Sequence, residues 1–153
     1  MSLSKKAQVF LLLFALVFIT IPSCGQKKPP FIPKKEITLR VNALTNIWRN
    51  GEVILRGRFV NLKGQPVSKK DISDITGCKV YYAHYPIEDP PCEGCPLKFN
   101  NFREIKGNVV IKGNFHVKFP GIKQRGIYFF KVCLIDRNRA VGPPSNRTKL
   151  VLE

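Results

Sequence analysis

From Glu36 to the C-terminus the apolar residues recur with a period of two. Ile37, Leu39 and Val41 alternate with Thr38, Arg40 and Asn42, and Val53, Leu55 and Phe59 with Ile54, Arg56 and Arg58. Phe115, Val117 and Phe119 alternate with His116 and Lys118. Tyr128, Phe130, Val132 and Leu134 alternate with Phe129, Lys131, Cys133 and Ile135. A strand turns successive side chains to opposite faces, whereas a helix would repeat every 3.6 residues or so. Turn signals separate the runs: Asn50-Gly51, Lys63-Gly64-Gln65-Pro66, Pro90-Pro91, Pro120-Gly121 and Gly142-Pro143-Pro144. The pattern predicts an all-β chain, an antiparallel β-sandwich over residues 36–153. The one stretch that could hold a helical turn is 68–75, and it is not counted as one.

A different organisation governs the N-terminus. Lys5 and Lys6 precede an unbroken apolar run from Val9 to Ile19. That run suits the core of a cleavable signal peptide and is short for a membrane span of about 20 apolar residues. It ends at Ile21-Pro22-Ser23-Cys24-Gly25, which resembles the lipobox of bacterial lipoproteins: an aliphatic residue three positions before the cysteine and a small one directly before it. The resemblance implies acylation of the Cys24 thiol and cleavage before it, so that residues 1–23 form a lipoprotein signal peptide. It also implies a place in the cell envelope, lipid-anchored to a membrane. Gly25 stands where an Asp would hold such a protein at the inner membrane, so the outer membrane is expected where the source has one. Residues 24–35 then read as a lipidated cysteine followed by a Pro- and Lys-rich extended tether.

The whole chain carries +16, from 26 Lys and Arg against 10 Asp and Glu. Loss of residues 1–23, which hold Lys5 and Lys6 and no acid, leaves 24 against 10, or +14. A field of that strength in a small domain favours anionic partners. The membrane itself, an envelope protein and an anionic envelope polymer are the partners this points to. Nucleic acid is the weaker candidate, because an exported lipoprotein seldom meets it.

The second half resembles the fibronectin type III family. Ile75-Thr76-Gly77-Cys78-Lys79-Val80-Tyr81-Tyr82 is similar to that family's third strand. Phe119-Pro120-Gly121, followed by Tyr128 to Val132 and Asp136, is similar to its E–F corner and F strand, with Tyr128 as the corner tyrosine. Gly142-Pro143-Pro144-Ser145 is similar to the turn into its last strand, here Thr148 to Leu152. The resemblance spans roughly residues 37–153 and implies a fibronectin type III-like sandwich serving adhesion or scaffolding. Leu55-Arg56-Gly57-Arg58 replaces the stretch holding the family's buried Trp, and Trp48 is expected to fill the core from nearby.

Four cysteines follow Cys24. Cys92-Glu93-Gly94-Cys95 is a C-x-x-C pair, which serves redox chemistry, metal binding or a structural clip. A redox thiolate needs a helix N-terminus or a positive neighbourhood, and this pair sits among prolines beside Glu93. Haem attachment needs His after the second cysteine, and position 96 is Pro. Zinc would need further ligands, for which Cys78, His84 and His116 are candidates. In an exported chain the favoured reading is a disulfide between Cys92 and Cys95. Cys78 and Cys133 lie on neighbouring strands but opposite faces, too far apart to pair. Cys78 is expected as a buried hydrophobe and Cys133 as a surface thiol.

No nucleophile–base constellation or Gly-rich phosphate loop stands out, so the reading is non-enzymatic, with no catalytic residue, cofactor or metal. The register places Lys79, Tyr81, Phe129, Lys131 and Ile135 on the outer face of one sheet, an aromatic and cationic candidate for partner binding. Cover by the long segment 83–114 is the competing fate of that face. The leading function is a membrane-anchored lipoprotein that presents a type III-like binding or scaffolding domain. The alternative is a small envelope thiol or metal protein working through Cys92 and Cys95.

Overall fold

A computed structural model describes residues 37–153. The signal peptide expected over 1–23, the lipidation expected at Cys24 and the tether expected to residue 35 all fall outside the described residues. In chain order the elements are β1 (Leu39–Arg49), β2 (Glu52–Asn61), α1 (Lys69–Ile72), β3 (Ile75–Tyr85), β4 (Asn101–Lys106), β5 (Val110–Ile111), β6 (Asn114–Pro120), β7 (Gly126–Asp136), β8 (Val141–Pro144) and β9 (Thr148–Leu152). One sheet runs β1-β2-β6-β5. The other runs β4-β3-β7-β8, with β9 also on β7. Every pairing is antiparallel. This is the immunoglobulin-like plan, and the domain is an antiparallel, fibronectin type III-like β-sandwich.

Turn chemistry fixes the hairpins. Asn50 and Gly51, at φ 52° and 79°, form the two-residue link between β1 and β2. Positive φ at both central positions suits the right-handed strand twist, and Asn-Gly is the dipeptide that tolerates it best. Lys112 and Gly113, at φ 50° and 79°, repeat the device between β5 and β6.

β1 is interrupted by a bulge. Asn42 faces Arg58 and Thr45 faces Arg56, so Ala43 and Leu44 together oppose Gly57. Ala43 takes φ 51°, and Leu44 turns into the core. A bulge takes backbone groups out of the ladder, and Asn146 satisfies them. The Leu44 N–H donates to Asn146 Oδ1 at 2.8 Å, and Asn146 Nδ2 donates to the Leu44 carbonyl at 3.2 Å. Asn46 Nδ2 donates to Thr148 Oγ1 and to the Lys149 carbonyl. Two asparagines thus stitch the first strand to the last.

The inward sides of both sheets meet in a core led by Phe115, Phe119, Phe130, Leu55 and Leu134, all fully buried. Aromatic rings interlock edge to face: Phe59 with Phe115 at 6.1 Å, Tyr82 with Phe119 at 5.3 Å, and Phe119 with Phe130 at 5.7 Å. Such pairs add about 0.5–1.5 kcal/mol each beyond area burial. Tyr128 is buried, and its hydroxyl donates to the Gln124 carbonyl at 2.9 Å, which is the corner expected from the sequence. Leu55 fills the second-strand position left by the missing Trp.

Two expectations are corrected. Trp48 does not fill the core: it lies beyond the bulge near the hairpin end, is 45% exposed, and donates its indole N–H to the Ile122 carbonyl at 3.4 Å. A single helical turn, α1, does form within 68–75. Ser68 and Asp71 close a reciprocal capping box around it, the Asp71 N–H on Ser68 Oγ and the Ser68 N–H on Asp71 Oδ2. Ile72 anchors the turn in the core.

Asn146→Ala should lower unfolding free energy by about 1–3 kcal/mol, because it strands both backbone groups of Leu44. Tyr128→Phe, which loses one hydrogen bond and no ring, should cost about 0.5–1.5 kcal/mol. Urea unfolding followed by far-UV circular dichroism would measure both. A smaller effect for Asn146→Ala than for Tyr128→Phe would mean that the bulge is satisfied without its clamp.

Candidate functional site

The face proposed from the sequence is the outer side of the β4-β3-β7 sheet. Register brings its members together: Tyr81 lies opposite Lys131 on one side and Phe102 on the other, and Lys79 lies opposite Cys133. Lys79 Nζ sits 5.2 Å from the Phe102 ring centre. Lys131 Nζ sits 5.4 Å from Tyr81 and 4.4 Å from Phe99. Tyr81 and Phe102 pack at 5.7 Å. Each ammonium is held by ring quadrupoles, at about 0.5–1 kcal/mol for exposed pairs, while its hydrogens remain free for an anionic acceptor. Phe102 is 57% exposed on the edge strand.

Phe99 and Phe102 were missed in the sequence because neither lies in an alternating run. The cue was Lys98-Phe99-Asn100-Asn101-Phe102-Arg103, two aromatics between bases. Phe129 belongs to a neighbouring patch. Its ring meets Tyr85 edge-on at 6.0 Å, and together with Cys92, Cys95, Leu97 and Lys149 it lines a shallow hollow of about 440 Å³.

Ile135 is not part of an accessible surface. It is 6% exposed, and Cys133, expected as a surface thiol, is 7% exposed. Both point outward by register, with Cys133 beside Lys79 and Ile135 beside Gly77. Neighbouring side chains close over them. Ile135 shares a small cleft with Glu104, Ile105 and Arg139, and Arg139 and Glu104 are paired at 3.8 Å. Ala83 and Ile127 are also buried on this side, outside the main core. β7 is therefore buried on both faces along most of its length. The contiguous apolar run from Val132 to Ile135 carried that signal, since two-sided burial erases alternation.

Cys92 and Cys95 are bonded to each other, with Cα atoms 5.4 Å apart, while Cys78 and Cys133 are free and buried. Burial pushes the Cys78 thiol up to about 12, with a lesser contribution from Cys133. Burial also raises the Cys133 thiol, against the opposing pull of Lys131 and Lys79. Neither is a thiolate near neutral pH, so neither is a nucleophile. The candidate zinc ligands do not converge. Cys78 lies in the core, His84 stacks on Tyr128 at 4.5 Å, and His116 is on the outer side of the other sheet.

Thiol labelling of the folded polypeptide at neutral pH should find no reactive cysteine among these four. Two should appear in denaturant, and four in denaturant with reductant. Labelling of Cys133 in the native state would show that the outer cover opens.

No family model matches the chain, and no curated protein is similar to it in sequence. Among solved structures it is similar to the FN1–FN3 domains of chicken CNTN1, with a TM-score of 0.45 and 13% identity. The similarity covers 74% of this chain and 31% of that one, so the chain spans about a third of the protein it resembles. The strand order and the tyrosine corner, not this likeness, identify the fold.

Proposed function

We propose that the chain is a non-enzymatic lipoprotein of the cell envelope: Cys24 carries the lipid, residues 24–35 form the tether, and the sandwich binds an envelope protein. The observation that carries the binding role is the cluster of Tyr81, Phe99 and Phe102 with Lys79 and Lys131 laid across the rings. Aromatic anchors edged by positive charge are the composition of binding hot spots. An anionic polymer alone would make little use of a half-exposed Phe102. The fitting partner is a protein surface with an apolar socket bordered by carboxylates. The type III-like fold supports a binding or scaffolding role without naming the partner. Cys92 and Cys95 act in this reading as a clip that shapes the loop beside Phe129.

Two measurements test this reading. Cys24→Ser should leave an unprocessed precursor with no acyl mass, and normal maturation of that variant would end the lipoprotein reading. A protein captured from detergent-solubilised envelope should be lost with Tyr81→Ala/Phe102→Ala, with affinity falling at least about tenfold. Capture that is indifferent to both substitutions would remove this face as the site.

A further inference from the structure

The opposite side of the molecule has a different chemistry. On the outer face of β1-β2-β6-β5, register sets Arg56 beside His116, Arg58 beside Asn42, and Lys118 beside Ile54. Lys112 sits at the tip of the adjoining hairpin. Arg56, Arg58, Lys112 and His116, with Thr45 and Ile111, line an open hollow of about 840 Å³ on this face, and Lys118 lies on the same face outside it. Glu52, at the hairpin end, is the one acid on the four strands. The two ion pairs among the described residues, Arg137 with Asp74 and Arg139 with Glu104, both lie elsewhere. The guanidinium and ammonium groups of this face therefore have no internal counter-charge.

Charge is half of the observation. Ile47 and Ile111 are about half exposed, one at each end of the same face, and Ile54 lies opposite Ile47. Exposed aliphatics interspersed with Arg and Lys suit a phospholipid headgroup layer. Cations meet phosphate there, while short apolar side chains reach the acyl boundary. A soluble anionic polymer would satisfy the cations and leave the isoleucines idle. We infer that this face docks the domain flat against an anionic phospholipid bilayer. β1, through which the chain enters the described domain, is part of this face. The docking chemistry itself needs no acyl chain.

The test uses the polypeptide 25–153, without lipid, so that a failure of acylation at Cys24 leaves it untouched. It should sediment with vesicles of phosphatidylglycerol and not with vesicles of phosphatidylcholine, and it should be released as salt rises and screening shortens. Arg56→Glu/Arg58→Glu should weaken binding at least about thirtyfold. Arg56→Gln/Arg58→Gln should give an intermediate loss. Lys98→Glu/Lys106→Glu, on the other side with the same change in net charge, should cost less than threefold. Ile47→Ser/Ile111→Ser should weaken vesicle binding severalfold while leaving binding to soluble polyphosphate unchanged. Equal losses for the two Glu pairs would reduce the site to diffuse charge and overturn the inference. Polyphosphate binding as tight as vesicle binding, with no effect of the isoleucine changes, would replace the bilayer with a polymer.

Discussion

Everything in the domain is arranged around β7, a strand that has to be covered twice. It pairs with β3 along one edge and with β8 and β9 along the other, and it sends Tyr128, Phe130, Val132 and Leu134 into the core. Its reverse side carries Ile127, Phe129, Cys133 and Ile135 on either side of Lys131, and a single sandwich core cannot reach them. Left in water, these apolar members would be exposed on a central strand. The chain covers them from outside, with the Arg139–Glu104 pair at one end and the Cys92–Cys95 loop beside Phe129 at the other.

The two large faces are consequently unlike. On the β4-β3-β7 side, cations are laid on rings, and the surface is aromatic with charge above it. On the β1-β2-β6 side, cations stand among aliphatics around an open hollow. The same net charge thus takes two chemical forms, one suited to a shaped partner and the other to an extended anionic layer.

Much of this was legible in the sequence, because inward-facing residues obey a strict rule. Val53, Leu55, Phe115, Val117, Phe119 and the even positions of β7 are buried as their alternation requires. The separation of Cys78 from Cys133 follows from that register, as does the Tyr128 corner. What escaped depends on contacts distant in sequence. The bulge left only a step of three between Val41 and Leu44, and its clamp sits 102 residues away at Asn146. Trp48, expected in the core as a substitute for the Trp of the resembled family, lies opposite inward-facing Val53 but at the hairpin end, where the core no longer covers it. Cys133 and Ile135 point outward as expected, yet outward is not exposed when another layer lies above. β4 has no alternation to read, because its edge is largely open to water.

The asparagine stitches also decide how the domain bears a load applied through its first strand. Any pull on the chain ahead of residue 37 enters through β1. In a sheet joined only by its own ladder, such a load would peel the edge strand from β2 one bond at a time. Asn146 and Asn46 tie β1 to the segment around β9 as well, across to the opposite sheet. Tension on the first strand is therefore shared between both layers, and detaching it requires several bonds to rupture together instead of in succession. The bulge, a flaw when the ladder is considered alone, becomes the rivet through which the module resists being unravelled from its first strand.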